Sequence, residues 1–506
     1  MLNLTNARRI GIVGGDLVGW LAAIELRRVF EPDVDVTVIE TPELFSFGLG
    51  EGGSRNLVDT LCRNELDLDI FVGEAGATYK LGVLYDNWRG GGISDRYYRL
   101  FCGPGIPEIE WRVDGFFPLL SARIAMGEDL HTCVPGFDAI ARHASQKDIE
   151  RLLATGQSGL CRSYHFDAEA FERYLKRVGL SRGIIAHASA VCGMRLDERG
   201  CVRSLHLDGE QLEVDFVIDA SGFARLGLGS VFGTRWRSFA NTLPTDRAIT
   251  FDLEPSEMCP DPVTRLTAMK AGWMWEVPLN RKITAGYVFS SRYADHAIAV
   301  AEVEHRLGHR VQPKHLLSLD QGYFETAWVN NLVALGTASG FVEPLDAALA
   351  THTFEQLRNI GRVLTNGGGV VPAHTIEAYN SANARSWTGV RDFLRLHYDC
   401  KRNDAPFWRD IAAAELPGGY AELRACFHKR TPRWIDIQPY VGSGWQALFH
   451  QLDWISVAAS LGVVPAKAAR AELRRLSAES RREVQAYLDL LNGTMSRHLP
   501  PSGWVH

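Results

Sequence analysis

Apolar and polar positions near the start of the chain follow a pattern that predicts a strand, a tight turn, a helix and a second strand. An apolar strand at 9–13 leads into a turn at 14–19 with three glycines, and a helix and a strand at 34–40 follow. Two further segments, at 215–223 and 331–341, predict buried strands that end in turns of small residues. This order of elements is typical of an α/β domain whose parallel sheet binds a dinucleotide.

The pattern changes along the rest of the chain. At 272–278 the sequence is Gly-Trp-Met-Trp-Glu-Val-Pro, which predicts a strand with two buried indole rings. Beyond residue 370, apolar residues recur at helical spacing and many of them are aromatic. We therefore predict two intimate domains: residues 1–370, with the dinucleotide-binding sheet and an inserted sheet, and residues 371–506, a mostly helical domain that covers the substrate.

Composition sets limits on the function. The 506 residues are 46% hydrophobic and 23% charged, which is ordinary for a globular enzyme. With 54 basic and 60 acidic residues the formal charge is -6, so nothing favours a nucleic acid as partner. The nine cysteines include no C-x-x-C pair, which indicates reduced buried thiols, no metal site and a cytoplasmic protein. No leader and no apolar run of roughly 18 residues occurs, so we expect neither secretion nor a membrane span.

The glycine turn is the first candidate binding site. We predict that Gly14, Gly15, Val18 and Gly19 contact a dinucleotide through the backbone. Glu40 ends the second strand, about 20 residues downstream, where a carboxylate accepts hydrogen bonds from the adenosine ribose.

Asp16 departs from the G-x-G-x-x-G template of such turns. It holds the place of the middle glycine, which in the template lets the backbone approach the pyrophosphate. A Cβ and a negative charge at this place oppose phosphate binding. The sequence therefore predicts either weak dinucleotide binding or a shifted loop.

Three motifs together resemble the flavin-dependent tryptophan halogenases of the FAD-monooxygenase superfamily. The first is the Trp-x-Trp-x-(aliphatic)-Pro run at 272–278, which a Gly-Tyr-Val-Phe-Ser-Ser strand follows. The second is the segment at 77–88, and the third, at 341–349, resembles the family's E-P-L-E-S-T-G run. The resemblance implies an α/β fold: a Rossmann-like FAD-binding domain of the glutathione-reductase or p-hydroxybenzoate-hydroxylase type, an additional β-sheet, and a mostly helical C-terminal cap that binds substrate.

The resemblance also implies a reaction. In the family, reduced FAD (FADH2) and O2 oxidise halide to hypohalous acid, which a lysine holds by a hydrogen bond or as a haloamine. By its match within 77–88, Lys80 is that lysine. The family's catalytic glutamate corresponds to Asp346, one methylene shorter, which would pair with Lys80, stabilise the cationic ring intermediate and take its proton. Glu343 is expected to be structural.

Further site residues follow from the same matches. The cofactor-binding set gains Glu51, Gly336, Phe341 and Leu345. The tunnel and halide set comprises Trp273, Trp275, Pro278, Ala348 and Leu349, where the indole rings are expected to block direct approach of substrate to flavin. In this set Ala347, Ala348 and Leu349 replace the Ser-Thr-Gly of the tryptophan halogenases, near where the family binds chloride or bromide.

Phe101 and Trp445 are the predicted substrate-stacking residues. Phe101 lies where tryptophan halogenases have a His-x-Phe-Gly-like run that clamps the ring, and Arg99 takes roughly the place of the histidine. The implied substrate is therefore a small aromatic molecule, either an indole or tryptophan-like compound or another electron-rich ring.

The resemblance implies two protein partners. No second G-x-G-x-x-G unit for a nicotinamide is found, so a separate NAD(P)H-dependent flavin reductase is expected to supply the reduced FAD. Family members commonly form a homodimer, which nothing in the sequence tests.

Two alternatives stay open. The replaced Ser-Thr-Gly motivates a flavin-dependent monooxygenase that hydroxylates the same kind of substrate without halide. Asp16 and Thr337 motivate a non-catalytic flavin-binding protein, because many FAD monooxygenases carry Asp where this chain has Thr337.

Overall fold

A computed structural model describes residues 1–41, 50–90, 92, 95–102, 117–255 and 259–498, with the backbone alone at 50, 51 and 491–498. The strands are, in chain order, β1 (Leu2–Asn3), β2 (Arg9–Val13), β3 (Asp35–Glu40), β4 (Gly50–Gly52), β5 (Thr78–Tyr79), β6 (Gly82–Asp86), β7 (Arg96–Leu100), β8 (Tyr164–Asp167), β9 (Ile185–Ala188), β10 (Val191–Leu196), β11 (Val202–Leu207), β12 (Gln211–Glu213), β13 (Phe216–Asp219), β14 (Trp236–Ser238), β15 (Arg247–Leu253), β16 (Val263–Ala268), β17 (Gly272–Pro278), β18 (Ile283–Phe289), β19 (His315–Ser318), β20 (Gly322–Phe324), β21 (Trp328–Val329), β22 (Leu332–Ala334), β23 (Gly340–Phe341) and β24 (Val370–Val371).

The α-helices are, in the same order, α1 (Leu17–Val29), α2 (Arg55–Arg63), α3 (Leu68–Glu74), α4 (Pro118–Met126), α5 (Phe137–Ala141), α6 (Gln146–Ala154), α7 (Ala168–Ser181), α8 (His296–Leu307), α9 (Ala348–Asn366), α10 (Ala373–His397), α11 (Pro406–Ala413), α12 (Gly418–Phe427), α13 (Trp434–Ile437), α14 (Gln451–Ser460), α15 (Ala466–Leu473) and α16 (Ala478–His498). Short 3-10 turns lie at Leu130–Cys133, Gly222–Ala224, Gly336–Ala338, Leu345–Ala347 and Gln438–Tyr440, and a π-helical turn at Leu226–Val231.

The first large sheet confirms the predicted strand–turn–helix–strand unit. Its strand order is β21-β22-β13-β2-β3-β9, and β22, β13, β2, β3 and β9 run parallel. The strands β2 and β3 are buried along most of their length, as expected for a parallel sheet that is covered on both faces. The carboxyl ends of β2, β13 and β22 therefore meet at one end of the sheet, where ligands of such folds bind.

The second large sheet contains the tryptophan-rich strand. Its order is β19-β15-β18-β17-β16-β6-β7, and only the β16–β6 pair in it is parallel. In the register of β17 with β18, Trp273 lies opposite Val288 and Trp275 lies opposite Gly286. A Cβ at Gly286 would overlap the Trp275 ring, so the indole packs directly against the neighbouring strand at this glycine. The predicted additional sheet is thus confirmed.

The C-terminal region is helical, as predicted. From residue 373 to 498 every described regular element is a helix or a helical turn. Trp387, Phe393 and Trp454 from this region share one buried cluster with Trp88 and Trp273 from the second sheet. The cap and the sheet therefore have a common core, which is consistent with two intimate domains.

The proposed domain boundary falls within a strand pair. Val371 of β24 pairs with Leu2 of β1, and Val370 pairs with Asn3. The division of the chain at residues 370 and 371 stays a prediction.

Two findings bear on the expected surroundings of the protein. Among the helices described up to residue 498, none is both long enough and apolar enough to cross a membrane. Cys62, Cys192 and Cys259 are exposed. The prediction of buried thiols is therefore wrong for these three, since the missing C-x-x-C pattern limits pairing and not position.

Candidate active site

The turn between β2 and α1 has the geometry of a dinucleotide-binding loop. Gly14 has φ +118°, a conformation that side chains oppose. A Cβ at Gly14 would overlap the carbonyl oxygen of Ala220, and one at Gly19 would overlap the carbonyl oxygen of Gly14. A Cβ at Gly15 would overlap the Glu40 side chain. The turn is therefore tight and α1 lies close to its strand, as in the template, and the loop has not shifted.

Asp16 caps the N-terminus of α1. One of its carboxylate oxygens accepts a hydrogen bond of 3.0 Å from the Gly19 N–H. Burial raises the pKa of Asp16, although the Gly19 N–H acts in the opposite direction. A helix N-terminus is also where a dinucleotide places its phosphates. The loop is thus not shifted, and weak dinucleotide binding as the effect of Asp16 stays a prediction.

Glu40 lies at the end of β3, and both of its oxygens already accept a hydrogen bond. Trp20 Nε1 donates to one oxygen at 3.1 Å, and Lys176 Nζ donates to the other at 2.7 Å. Nearby, burial together with Asp16 and Glu40 raises the pKa of Glu172 to about 7. Each carboxylate oxygen has a second lone pair, so Glu40 can still accept a ribose hydroxyl.

A second glycine turn meets the first. Gly336 follows β22 with φ +59°, and a Cβ there would lie 3.4 Å from Val18 Cγ1. The Gly336 N–H donates to Gln356 Oε1 at 3.1 Å, and Phe341 and Leu345 are buried a few residues further on. The two glycine turns, at the ends of β2 and β22 on either side of β13, form a cradle that fits FAD except at the carboxylate that caps α1.

Strand β4, which contains the predicted cofactor-binding residue Glu51, lies against Lys80. A Cβ at Gly52 would overlap the Lys80 amine. Glu51 lies beside it in β4, but its side chain is outside the described residues, so its role stays a prediction. On the other side, Thr78 Oγ1 donates to the carbonyl oxygen of Pro278 at 3.0 Å. The end of the tryptophan-rich strand is thereby joined to the segment that carries Lys80.

Trp273 and Trp275 are both buried, with ring centroids 6.2 Å apart. Trp273 Nε1 donates to the Tyr398 hydroxyl at 3.0 Å and to Glu343 at 3.3 Å. The pair therefore forms a packed wall that is tied to the helical cap. Its predicted role as a barrier between flavin and substrate stays a prediction.

Glu343 is a fully buried carboxylate. Its donors are the Thr245 hydroxyl, the Tyr398 hydroxyl at 2.8 Å and the indole of Trp273, and all three are uncharged. Burial raises its pKa, and the hydrogen bonds act in the opposite direction. This arrangement agrees with the structural role expected for Glu343.

The turn after Pro344 has an unusual backbone. Asp346 and Ala347 have φ +59° and +54°, and left-handed conformations of non-glycine residues cost on the order of 1–3 kcal/mol each. Helix α9 then begins at Ala348, which is buried, and continues with the half-buried Leu349. It has no side-chain cap and no acidic residue in its first turn, so the first N–H groups of the helix carry partial positive charge that no side chain of that turn neutralises.

Asp346 is buried and held by three side chains. Arg99 forms an ion pair with it at 3.0 Å, the Tyr85 hydroxyl donates to it at 2.5 Å, and His397 Nε2 lies 3.1 Å away. Burial acts to raise the pKa of Asp346, but Arg99, with help from His397 and Tyr85, outweighs it and holds that pKa well below the usual range. Asp346 is thus a well-stabilised anion.

Lys80 is buried, with 2% of its surface exposed. Its amine lies 5.5 Å from the centroid of the Phe101 ring. No ion pair within 4.0 Å joins Lys80 to a carboxylate among the residues that the structure describes, whereas Asp346 pairs with Arg99. The role of Asp346 as the partner of Lys80 stays a prediction. Burial, and then the charge of Arg99, lower the pKa of Lys80 to about 7, against the opposing effect of Asp346.

A cavity of about 500 Å³ opens beside these groups. Asp346, Arg99, Phe101, Trp445 and Asp453 are among the residues that line it. Two predicted stacking residues and the predicted catalytic carboxylate, from three distant parts of the sequence, are thereby brought together. The size and the mixed aromatic and charged lining are those of a site for a small molecule.

Sequence reasoning missed part of this arrangement. Tyr85 and His397 are 312 positions apart, and nothing in their spacing indicates that both contact Asp346. Arg99 was noted only as a replacement for histidine. The sequence did contain a signal that Arg99 belongs to the site. In an extended segment residues two positions apart share a face, which places Arg99 beside Phe101. In the structure the guanidinium carbon lies 5.1 Å from the centroid of that ring.

Comparison with known proteins places this geometry in a family. The sequence model of the family described as tryptophan halogenase matches residues 9–475. The chain is 73% identical to the uncharacterized protein y4xG of Sinorhizobium fredii over 506 residues, which is 100% of both chains. It is also 29% identical to the 7-chloro-L-tryptophan 6-halogenase KtzR of a Kutzneria species over 461 residues, covering 85% of this chain and 86% of that protein.

A solved structure gives the same result for the fold. The crystal structure of the tryptophan 6-halogenase SttH from Streptomyces toxytricini superimposes with a TM-score of 0.84, covering 97% of this chain and 98% of that one. The sequence identity is 24%, so this likeness concerns the fold alone.

Proposed function

The chain belongs to the tryptophan halogenase family of flavin-dependent enzymes, and we propose that it halogenates an indole, tryptophan-like or other electron-rich aromatic substrate. The observation that carries this proposal is the cavity of about 500 Å³ in which Asp346, Phe101 and Trp445 meet. Lys80 approaches the same Phe101 ring from within the protein. An aromatic binding site thus adjoins an amine and a carboxylate at the positions that match the family's catalytic pair.

Reduced FAD and O2 would supply the oxidising power that converts chloride or bromide to hypohalous acid. The residues that would hold FAD are those of the two glycine turns and their surroundings: Gly14, Gly15, Val18, Gly19, Glu40, Glu51, Gly336, Phe341 and Leu345. The backbone of these turns would contact the phosphates and the ribityl chain, and Glu40 the ribose.

The start of helix α9 is the proposed halide site. Its uncapped N-terminus offers partial positive charge without any acidic side chain in the first turn. Ala348 and Leu349 provide no hydroxyl there, so the backbone N–H groups would bind the halide. Trp273, Trp275 and Pro278 would form the wall that keeps the organic substrate away from the flavin.

Lys80 would receive the hypohalous acid and present its halogen to the aromatic ring. A buried amine that forms no ion pair with a carboxylate in the described ranges is available for a hydrogen bond to, or a bond with, the incoming halogen species. Asp346 would stabilise the positive charge that develops on the ring. Its strongly lowered pKa fits charge stabilisation better than acceptance of the ring proton.

Phe101 and Trp445 would hold the substrate ring. Both side chains are largely buried and both line the cavity, so each presents only part of its ring to a ligand. A flat aromatic substrate matches such a lining. The reduced flavin would come from a separate NAD(P)H-dependent reductase, and we extend the proposal to a homodimer on the basis of the family.

The test is mass spectrometry of indole, tryptophan and a panel of phenols and pyrroles after incubation with the protein, FAD, a flavin reductase, NADH, O2 and bromide or chloride. The variant is Lys80→Ala. The matched control is Lys270→Ala, which removes an exposed lysine far from the cavity in sequence. We expect a halogen isotope pattern in the product with the wild type and the control, and its loss with Lys80→Ala.

Other outcomes would decide against the proposal. A product that gains one oxygen without needing halide would identify the monooxygenase alternative. If no product forms from any substrate, a titration with FAD separates the remaining cases. Tight FAD binding without turnover across the panel would contradict the proposed substrate class, and absent FAD binding would contradict the proposed cofactor site.

A further inference from the structure

Arg99 occupies an unusual place beside the proposed catalytic pair. Its guanidinium is buried between two carboxylates, with one nitrogen 3.0 Å from Asp346 and another 2.9 Å from Asp453. Arg55 holds the second oxygen of Asp453 at 2.8 Å. A planar guanidinium with a carboxylate on each side has little freedom to turn. Arg99 is therefore fixed in the wall of the cavity.

Asp346 is held by three side chains, those of Arg99, Tyr85 and His397. Its Oδ1 faces both Arg99 and the Tyr85 hydroxyl, and its Oδ2 faces His397 Nε2. The opposite ring nitrogen of His397 lies 2.9 Å from the carbonyl oxygen of Phe393, which fixes the orientation of the imidazole. The carboxylate is thus held by neighbours from β6, β7 and α10.

A buried lysine normally requires a counter-ion, but no carboxylate among the described residues forms an ion pair with Lys80. The charged and titratable groups that face it are Arg99 from β7, Asp346 from the turn before α9, and His165 from β8. Lys80 and Arg99 lie over the same Phe101 ring, at 5.5 Å and 5.1 Å from its centroid. Two like charges at one buried ring disfavour each other, and of these two cations Arg99 is the one that pairs with carboxylates within the described part of the chain.

We propose that Arg99 is a positioning residue that withholds the Asp346 carboxylate from Lys80, so that Lys80 enters the reaction as an uncharged amine. This inference rests on the proposed halogenase function. An uncharged amine is a nucleophile, whereas an ammonium can only donate hydrogen bonds.

The resulting step is balanced without any further reagent. The Lys80 nitrogen forms a bond to the halogen of hypohalous acid, the halogen–oxygen bond breaks, and the departing hydroxide takes a proton from nitrogen to give water. The halogen keeps its oxidation state. When the substrate ring takes the halogen, the ring proton replaces it on the Lys80 nitrogen, and the amine is regenerated. Asp346 stays ionised throughout and stabilises the cationic ring.

The protonation state of Lys80 can be measured directly by NMR. The protein has nine lysines, so lysine labelled with 13C at Cε gives few signals. The signal that disappears in Lys80→Met belongs to Lys80. The titration is followed from pH 5 to pH 11 in the full-length protein without flavin, halide or substrate. The account predicts that the Lys80 signal titrates near pH 7, since the pKa of Lys80 is lowered to about 7.

Two variants and a matched control test whether Arg99 is the cause. Arg99→Gln frees Asp346 and removes a neighbouring charge, so we expect the Lys80 titration to move up by at least about one pH unit. Arg99→Lys keeps the positive charge, so we expect the Lys80 titration to shift by less than about half a pH unit. Arg63→Gln removes a half-buried guanidinium that pairs with Glu25 and has no recorded contact with Asp346 or Asp453, and should also leave the titration in place.

A Lys80 signal that titrates near pH 10 in the wild type would overturn the inference without any variant. So would an unchanged titration in a folded Arg99→Gln protein. Because the titration needs no turnover, its outcome is separate from the proposed function. Product that forms while Lys80 titrates near pH 10 contradicts the role of Arg99 alone, and absence of product with a titration near pH 7 contradicts the halogenase function alone.

Discussion

Glu343 and Asp346 are two buried carboxylates on one short turn, and their surroundings differ in kind. Around Glu343 the donors are Thr245, Tyr398 and Trp273, all of them uncharged. Around Asp346 the dominant neighbour is the guanidinium of Arg99. Burial raises the pKa of Glu343, whereas Arg99 reverses the effect of burial and lowers the pKa of Asp346. The placement of a single cation therefore separates the two carboxylates electrostatically.

The two surroundings also face different parts of the molecule. Glu343 joins the tryptophan-rich strand β17 to the end of helix α10, through Trp273 and Tyr398. Asp346 lines the cavity in which the aromatic substrate is proposed to bind. The comparison indicates that Glu343 holds the scaffold together and that Asp346 acts on the substrate. Substitutions that keep the size of each side chain but remove its charge can test whether the two carboxylates have these different roles.

The largest expected effect is a loss of halogenation activity when Asp346 is substituted. Asp346→Asn keeps the shape but removes the negative charge beside the developing cation, so we expect a loss of about 100-fold in the rate of halogenation. The measurement is the initial rate of halogenated product with saturating substrate. Glu343→Gln serves as the control and should stay within about tenfold of the wild type. Equal losses of rate in Asp346→Asn and Glu343→Gln would contradict the assignment of a reactive role to Asp346 and a structural role to Glu343.

The next effect is on stability at the Glu343 side. Glu343→Gln keeps one acceptor oxygen but turns an amide NH2 toward groups that themselves donate, so a buried donor is left unpaired. We expect a decrease of about 2 kcal/mol in the free energy of unfolding, measured by urea denaturation. The exposed Glu254→Gln is the control and should have no effect. An unchanged stability of Glu343→Gln would show that its buried hydrogen bonds are replaceable.

A smaller effect concerns pH. Since the pKa of Lys80 is lowered to about 7, the amine is uncharged above that pH and protonated below it. If the uncharged form reacts, the rate of halogenation should fall by about tenfold for each pH unit below 7. The profile is measured with reduced FAD in excess, and Glu343→Gln should show the same acidic limb. A rate that rises as the pH falls would mean that the ammonium is the reactive form.

The smallest effect extends the comparison to a third carboxylate. Asp16 caps α1 where phosphate would bind, and glycine at an N-cap costs only about a few tenths of a kcal/mol relative to Asp. Asp16→Gly should therefore tighten FAD binding by about fivefold, as removal of a nearby negative charge is worth about 1 kcal/mol. Flavin fluorescence quenching measures the affinity. Asp16→Asn, which keeps the cap, should give a similar gain, and weaker binding in both variants would contradict this account.

Local patterns in the sequence predicted much of the fold. The turn at Gly14, the strand β17 and the helical region after residue 370 each depend on neighbours in sequence, through glycine geometry or the spacing of apolar residues. The cap formed by Asp16 was also within reach, because Asp directly before a helix is a preferred N-cap. It was interpreted only as a defect in the glycine template.

The electrostatic arrangement of the candidate site could not be predicted in the same way. Motif matches indicated Lys80 and Asp346 separately, but not that Arg99 would form an ion pair with Asp346. Arg99 and Asp346 come from elements far apart in sequence, and only the register of the folded sheets brings them within 3.0 Å. Ion pairs of this kind are tertiary, and no periodicity reports them.

The most direct test of the distinction between the two carboxylates is infrared difference spectroscopy during an acid titration from pH 7 to pH 3. Each protonated carboxyl group gives a carbonyl band. The band that is missing in Glu343→Gln is assigned to Glu343, and the band that is missing in Asp346→Asn is assigned to Asp346. A glutamate ordinarily becomes protonated near pH 4.5. The account predicts that the Glu343 band appears at a higher pH than this, while Asp346 is still ionised at pH 3. If the Asp346 band appeared first, Arg99 would not hold that carboxylate as an anion, and the assignment of one structural and one reactive carboxylate would be contradicted.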